Sequence, residues 1–155
     1  MSEIIDYNGL KFEMADGFHV MDRIELMEHI PGSDPERMEI WNPDEHVLIA
    51  FHRKPINPII GKFASKKTMS MRLISDMKKA NPGLEISEEY TLEAAGDTRY
   101  GFRYEYTAKD IPHIGDILAI VEKGTYYTMT CSYRAESKEY GEKAFSELIK
   151  SCSFE

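Results

Sequence analysis

Between Leu84 and Tyr133 the sequence reads as four strand-like runs in succession, and one of them, RYGFRYEYT (Arg99–Thr107), alternates without a break. Tyr100, Phe102, Tyr104 and Tyr106 fall on one side, with Gly101, Arg103 and Glu105 on the other. Period two over this length is the signature of a strand with two unlike faces. Its neighbours are Leu84–Leu92, Ile114–Lys123 and Thr125–Tyr133, and EKGT (Glu122–Thr125) supplies a tight hairpin turn between the last two. Four consecutive strands joined by short turns predict an antiparallel meander, with the aromatic side of the second strand packed and its charged side wetter.

Upstream, Leu10–Met14 reads as a strand, ADG (Ala15–Gly17) as a turn and Phe18–Met27 as an extended segment. HIPGSDPER is a loop by composition. Met38–Trp41 reads as a strand, Asn42–Glu45 as a turn, and HVLIAFHR as a central strand, since Val47, Ile49 and Phe51 point one way and Leu48 and Ala50 the other. KPINPIIGKF, with two prolines and a glycine, reads as a loop. SKKTMSMRLISDMKKA follows, with Ser65 or Thr68 as N-cap and Met69, Leu73, Met77 and Ala80 along one stripe, ended by Asn81-Pro82-Gly83. At the other end Ser137 is a natural N-cap, and Tyr140, Ala144, Phe145, Leu148, Ile149 and Cys152 form the buried face of a closing helix. Glu139 and Lys143 are spaced to pair on its outer face. The expected class is α+β: a largely antiparallel sheet of about six to seven strands sandwiched by two amphipathic helices, in the order β-β-β-α-β-β-β-β-α. At 155 residues the chain reads as a single domain spanning 1–155, with one ordinary core.

The opening GLKFEMADGF (Gly9–Phe18), the closing GTYYTMTCSYRAESKEYGEKAFSELIKSCSF (Gly124–Phe154) and the helix between strand groups together resemble the PsbP-like α/β/α sandwich. Its members include the photosystem II extrinsic subunit, the Ran-binding protein Mog and bacterial DcrB-like domains. The specific part is the tail, in which a strand, a helix and a closing Ser-Phe follow one another. The resemblance implies a non-catalytic module that contacts other proteins. No functional residue of the family carries over to a position here.

Charge narrows the function further. A net charge of −8 argues against nucleic acid as a partner. Nothing in the sequence has the length or apolarity of a signal peptide or membrane span, so a cytoplasmic protein with no membrane partner is expected. Between Arg53 and Lys79, however, eight bases (Arg53, Lys54, Lys62, Lys66, Lys67, Arg72, Lys78, Lys79) meet one acid, Asp76, leaving −15 on the rest of the chain. Arg53, Lys54, Lys62, Lys66 and Lys67, beside Ile56, Ile59 and Ile60, are the candidate docking patch for an acidic protein.

The chemistry-bearing residues give less. Cys131 and Cys152 are 21 positions apart without a Cys-x-x-Cys, and free buried thiols are expected. His46 and His52 share a parity, but six residues at about 3.3 Å rise put them roughly 20 Å apart on a strand, too far to hold one ion. A metal site needs His19, His29 or His113 brought from elsewhere. There is no Gly-x-Ser-x-Gly, and Gly61-Lys62 lacks the rest of a phosphate loop. The acid pairs Asp44-Glu45 and Glu88-Glu89 are adjacent, so on a strand they diverge. The expected protein is a non-catalytic binding or adaptor domain without a cofactor, and a homodimer is left open. Two other readings are a secretion-associated chaperone with a Met-lined groove, drawing on nine methionines, and a small-ligand protein or enzyme with a pocket of Tyr and His between sheet and helix.

Overall fold

The structure, a computed structural model, describes residues 3–29, 37–56, 66–80, 82–122 and 124–154. Nine strands and three α-helices are named here in chain order: β1 Glu3–Tyr7, β2 Leu10–Met14, β3 His19–Val20, α1 Arg23–His29, β4 Met38–Asn42, β5 Val47–Pro55, α2 Lys66–Ala80, β6 Glu85–Ala94, β7 Asp97–Ala108, β8 Ile111–Glu122, β9 Thr125–Arg134 and α3 Lys138–Lys150. A 3-10 turn, Ala135–Ser137, leads into α3. Seven strands form one antiparallel sheet in the order β3-β4-β5-β9-β8-β7-β6, and β1-β2 form a separate hairpin. The meander is present as expected, and the fold class holds.

Consecutive residues of β8 divide between two hydrophobic clusters. Ile114, Leu118 and Ile120 belong to the larger one, with Phe12, Phe51, Tyr133 and the α3 residues Phe145, Leu148 and Ile149. Ile117 belongs to the smaller, with Leu84, Phe102 and Tyr104 under Leu73, Ile74 and Met77 of α2. Alternation along a strand therefore puts α2 and α3 on opposite faces of the sheet. A sheet covered on both sides has a core on each side, so the single core expected from the sequence is two. Within the larger one Phe12 of β2 stacks on Phe51 of β5 at 4.6 Å. Full burial of one such ring contributes about 1.5–3 kcal/mol.

The amino-terminal third differs from the sequence reading. β1 precedes the strand foreseen at Leu10–Met14, turning through Asn8 and Gly9 at φ 50° and 100°, as a two-residue type I′ hairpin requires. The segment expected to be extended up to Met27 holds a strand only at His19–Val20 and then becomes α1. The reason is a capping box: Asp22 Oδ1 accepts from the Glu25 N–H at 2.8 Å, and Glu25 Oε1 accepts from the Asp22 N–H at 3.4 Å. His46 is not on a strand face with His52. It sits in the turn before β5 at φ 56°, its ring 6.2 Å from that of Trp41. Thr68 lies inside α2 rather than at its cap, and Ser65 lies outside the described residues. Ala80, expected on the buried stripe, is exposed. On α3, Lys143 approaches Glu147 at 3.9 Å and Lys138 approaches Glu142 at 3.7 Å, in place of the foreseen pair with Glu139.

The chain's end is fastened to its beginning. Ser153 and Lys11 exchange two backbone hydrogen bonds, at 2.8 and 2.9 Å. The Ser151 hydroxyl accepts from the Glu13 N–H at 2.9 Å and donates to the Leu148 carbonyl at 2.6 Å. Cys152 is buried, Phe154 packs 5.3 Å from Tyr127, and the Tyr127 hydroxyl donates to the Asn8 carbonyl at 2.8 Å. The tail thus locks the β1-β2 hairpin against α3. No helix among the described residues is long and apolar enough to cross a membrane.

Candidate functional site

The foreseen basic patch is only partly described. Arg53 and Ile56 are half-buried and Lys54 is exposed at the end of β5, where the Ile56 N–H donates to the Gly124 carbonyl at 2.9 Å. Ile59, Ile60 and Lys62 lie outside the described residues, as do the side chains of Lys66 and Lys67, whose backbone opens α2. The Lys54 ammonium stands 5.7 Å from the centre of the Tyr126 ring. Burial pushes the Tyr126 hydroxyl up to about 12, and Asp76 adds to that, which puts the middle of α2 beside the end of β5. The outward side of α2 carries Met71, Arg72, Asp76, Lys78 and Lys79, all exposed. A helix end carrying Lys78 and Lys79 suits the negative pole of its dipole.

A charged centre lies on the other face, beneath α3. β7 was expected to bury its aromatic side and wet its charged one, but Arg99 and Gly101 are buried and the Arg103 side chain is only 17% exposed. The cause is α3, which covers the face those residues share. Arg103 lies directly across from Asp116 on β8. Its Nε donates to Asp116 Oδ1 at 2.9 Å, and its Nη1 lies 2.7 Å from Glu88 Oε2 and 3.0 Å from Glu142 Oε1 of α3. The Tyr90 hydroxyl donates to Asp116 Oδ1 at 3.2 Å and the Tyr133 hydroxyl to Oδ2 at 2.7 Å. Burial, the largest influence, pushes the Asp116 carboxyl up, while Tyr133, Arg103 and Tyr90 pull it down. Burial also works against the guanidinium, but Asp116, Tyr133 and Glu142 hold its pKa above the ordinary value.

Both tyrosines are pushed up, by burial first and then by Asp116, so their hydroxyls keep their protons and act as donors. Such a centre has all its members satisfied by one another. It fixes β6, β7, β8, β9 and α3 in one register, which is the part a buried polar network plays in specifying a fold. Arg99 does similar work at the β6-β7 turn, donating to the carbonyls of Ala94 at 2.9 Å and Ala95 at 3.0 Å. Asp116, unforeseen as a site residue, had one signal in the sequence: a lone acid immediately before the apolar run ILAIV marks a paired buried charge.

Two glycines make room for this arrangement, and a third serves the opposite face. A Cβ on Gly101 would come within 2.9 Å of the Tyr90 ring, and one on Gly141 within 2.4 Å of the Tyr133 ring. On the α2 face a Cβ on Gly115 would meet the Tyr104 ring at 2.1 Å.

Below the end of α2 a groove of about 810 Å³ opens between helix and sheet, lined among others by Met77, Leu84, Tyr104, Tyr106, Pro112 and His113. Tyr106 stacks between Tyr104 at 5.7 Å and His113 at 5.3 Å. The His113 Nδ1 lies 2.8 Å from the Ile111 carbonyl and donates to it, which leaves Nε2 as the acceptor of the neutral ring. Burial pushes Tyr104 up, and its hydroxyl is bonded to Ser132.

The remaining candidates stay apart. His19 Nε2 pairs with Glu25 Oε2 at 3.0 Å, away from His113 on β8, and no group of ligating side chains that could hold a metal occurs among the described residues. Cys131 and Cys152 are free and buried. Burial raises both thiols, Cys152 to about 12, so neither is ionised near neutrality.

With the geometry in hand, comparison with known proteins places the fold. No family model matches the sequence, and no curated protein does. Among solved structures, cyanobacterial PsbP from Synechocystis superposes with a TM-score of 0.68 at 13% identity, covering 100% of this chain and 92% of that one. The Ran-binding protein Mog1p of Saccharomyces cerevisiae gives 0.61 at 10% identity, covering 97% and 86%. LpqN, involved in cell envelope biogenesis of Mycobacterium tuberculosis, gives 0.58 at 11%, covering 99% and 90%. The chain has the α+β fold these proteins share, over essentially its whole length. At such identities the likeness is one of fold alone.

Proposed function

We propose that the chain is a non-catalytic protein-binding domain whose basic side, the outward face of α2 with the adjoining end of β5, takes an acidic partner protein. The observation that carries this reading is the composition of that side: Arg72, Lys78 and Lys79 exposed along one helix, next to exposed Lys54 and an exposed Met71, on a chain whose net charge is −8. Segregated charge of this sort speeds and orients encounter with an oppositely charged surface, and an apolar side chain within it supplies burial. Support comes also from the groups that chemistry would need. The buried carboxylate is taken up by Arg103 and two tyrosines, and the thiols are pushed away from ionisation. Mog1p, by its name, binds a protein on the same fold.

The Lys66→Glu/Lys67→Glu variant tests the proposal against the native partner. α2 has no acid in its first turn, and acids there interact favourably with the helix dipole, by about 0.3–1 kcal/mol each. The expected result is therefore loss of binding with a melting temperature unchanged or slightly raised. Binding at wild-type strength would reject the basic side as the interface.

A second reading has one observation in its favour. The groove beside Tyr106 and His113 has a volume within the range typical of small-molecule sites, roughly 300–1,000 Å³. Its occupant would be a small molecule recognised by stacking and by Nε2 of His113. The chaperone reading wants a methionine-lined trough, and Met77 is the one methionine lining this groove among the described residues.

A further inference from the structure

Among the described residues β6 ends the sheet on one side and pairs with β7 alone. In an antiparallel pair alternate residues turn both N–H and C=O away from the partner, so β6, ten residues long with a bulge between Ile86 and Glu88 that brings Glu85 and Glu88 to the same side, carries a row of backbone donors and acceptors with no strand among the described residues to take them. The opposite end of the sheet is blunted, because β3 is two residues long.

The two sides of the β6 edge are unlike. On the α3 side stand four carboxylates: Glu85 and Glu88 of β6, Glu105 of β7 and Glu142 of α3. Glu85 and Glu105 are exposed and directly opposite each other in register, an unfavourable like-charge pair. Arg103 engages Glu88 and Glu142 but already serves Asp116. On the α2 side a pocket of about 220 Å³ lies between helix and strand, walled by Met71, Ile74, Tyr100 and Phe102, with Glu89 and Thr91 on the β6 rim. Met71 is 56% exposed at its mouth.

We propose that the β6 edge accepts an extended segment of another protein as an added strand, in which lysine or arginine alternates with aliphatic residues. Side chains of an added strand fall alternately on the two sides, so the cations lie over the Glu85, Glu88, Glu105 and Glu142 carboxylates while aliphatic groups enter the Met71–Phe102 pocket. One register is selected. A slip by one residue sets aliphatic groups on those carboxylates and brings the cations to the α2 side, where β6 offers two carboxylates, Glu89 and Glu93, in place of four and the outer face of α2 carries Arg72, Lys78 and Lys79. A second copy of the chain is disfavoured, since pairing two β6 edges lays Glu85, Glu88, Glu89 and Glu93 of one against the same residues of the other. Discouraging aggregation accounts for the acids but not for the apolar pocket on the other side. This surface adjoins the basic side and shares Met71 with it, but its carboxylates and the β6 edge lie outside that side, and the Lys66→Glu/Lys67→Glu variant retains them.

The test titrates the isotope-labelled full chain with a short capped peptide alternating lysine and leucine, at a concentration where sedimentation shows the peptide monomeric. Companion peptides carry glutamate for lysine, N-methyl groups on every lysine nitrogen, or N-methyl groups on every leucine nitrogen. The expected result is amide shifts confined to β6 and the Met71–Ile74 turn of α2, weakened by salt and absent with the glutamate peptide. One N-methylated peptide loses at least about tenfold in affinity and the other binds as before, because only one set of N–H groups faces β6. Glu85→Gln/Glu105→Gln weakens the lysine peptide and leaves the melting temperature unchanged or slightly raised, since it removes a like-charge pair. The proposal is overturned by absence of binding, by shifts centred elsewhere, by equal tolerance of both N-methylated peptides, or by a dimer formed through β6.

Discussion

At the level of single residues, the charged centre makes an opposed pair of forces measurable. Gly141 lies within α3, where replacing glycine by alanine ordinarily stabilises a helix by about 1 kcal/mol. Here the added methyl meets the Tyr133 ring at 2.4 Å, and that ring cannot retreat, being fully buried with its hydroxyl tied to Asp116 at 2.7 Å. Overpacking a filled core costs about 1–3 kcal/mol, so packing outweighs propensity. Gly141→Ala is expected to lower stability in denaturant titration by about 1 kcal/mol, the middle of the range which that balance leaves. An increase would mean that Tyr133 has room to move and that the centre is looser than its hydrogen bonds imply.

Among the elements, the closing tail has the sharpest consequence. Removing residues 152–155 deletes the two hydrogen bonds between Lys11 and Ser153, buried Cys152 and the contact of Phe154 with Tyr127. At about 1 kcal/mol per hydrogen bond and 1.5–3 kcal/mol for a buried apolar side chain, the loss is roughly 4 kcal/mol. Hydrogen exchange should find protection lost first in β1 and β2 while β5, β8 and β9 keep theirs; uniform protection would contradict the locking role. This region also marks how far the sequence could be read. The meander from β6 to β9, α2 and α3 were legible because their apolar periods run for ten or more residues. β1 was not, since EIIDY is too short for a period and its pairing rests on the Asn8-Gly9 turn. α1 was hidden because a seven-residue helix held by an Asp22–Glu25 capping box shows its cap rather than its stripe. Arg103 was misread for a different reason: which face of a strand is wet depends on what covers it, and the cover, α3, comes about forty residues later along the chain. Of the candidate site, the basic residues were countable in the sequence, whereas Asp116 and the β6 edge acquire meaning only from strand order.

For the molecule as a whole, the fold separates charge. Bases lie outward on α2 and at the end of β5, while acids line the β6 edge and the adjoining side of α3. That separation underlies the proposal that the chain recognises other proteins, and the two proposed surfaces call for partners of opposite charge. The most direct measurement is hydrogen exchange of the wild-type chain, free and in the complex with the protein that it retains from native lysate and that Lys66→Glu/Lys67→Glu does not. Added protection confined to α2 and the end of β5 is the predicted result. Protection centred on the groove at Tyr106 and His113, with α2's outer face unchanged, would contradict it and give the ligand-binding reading the stronger claim.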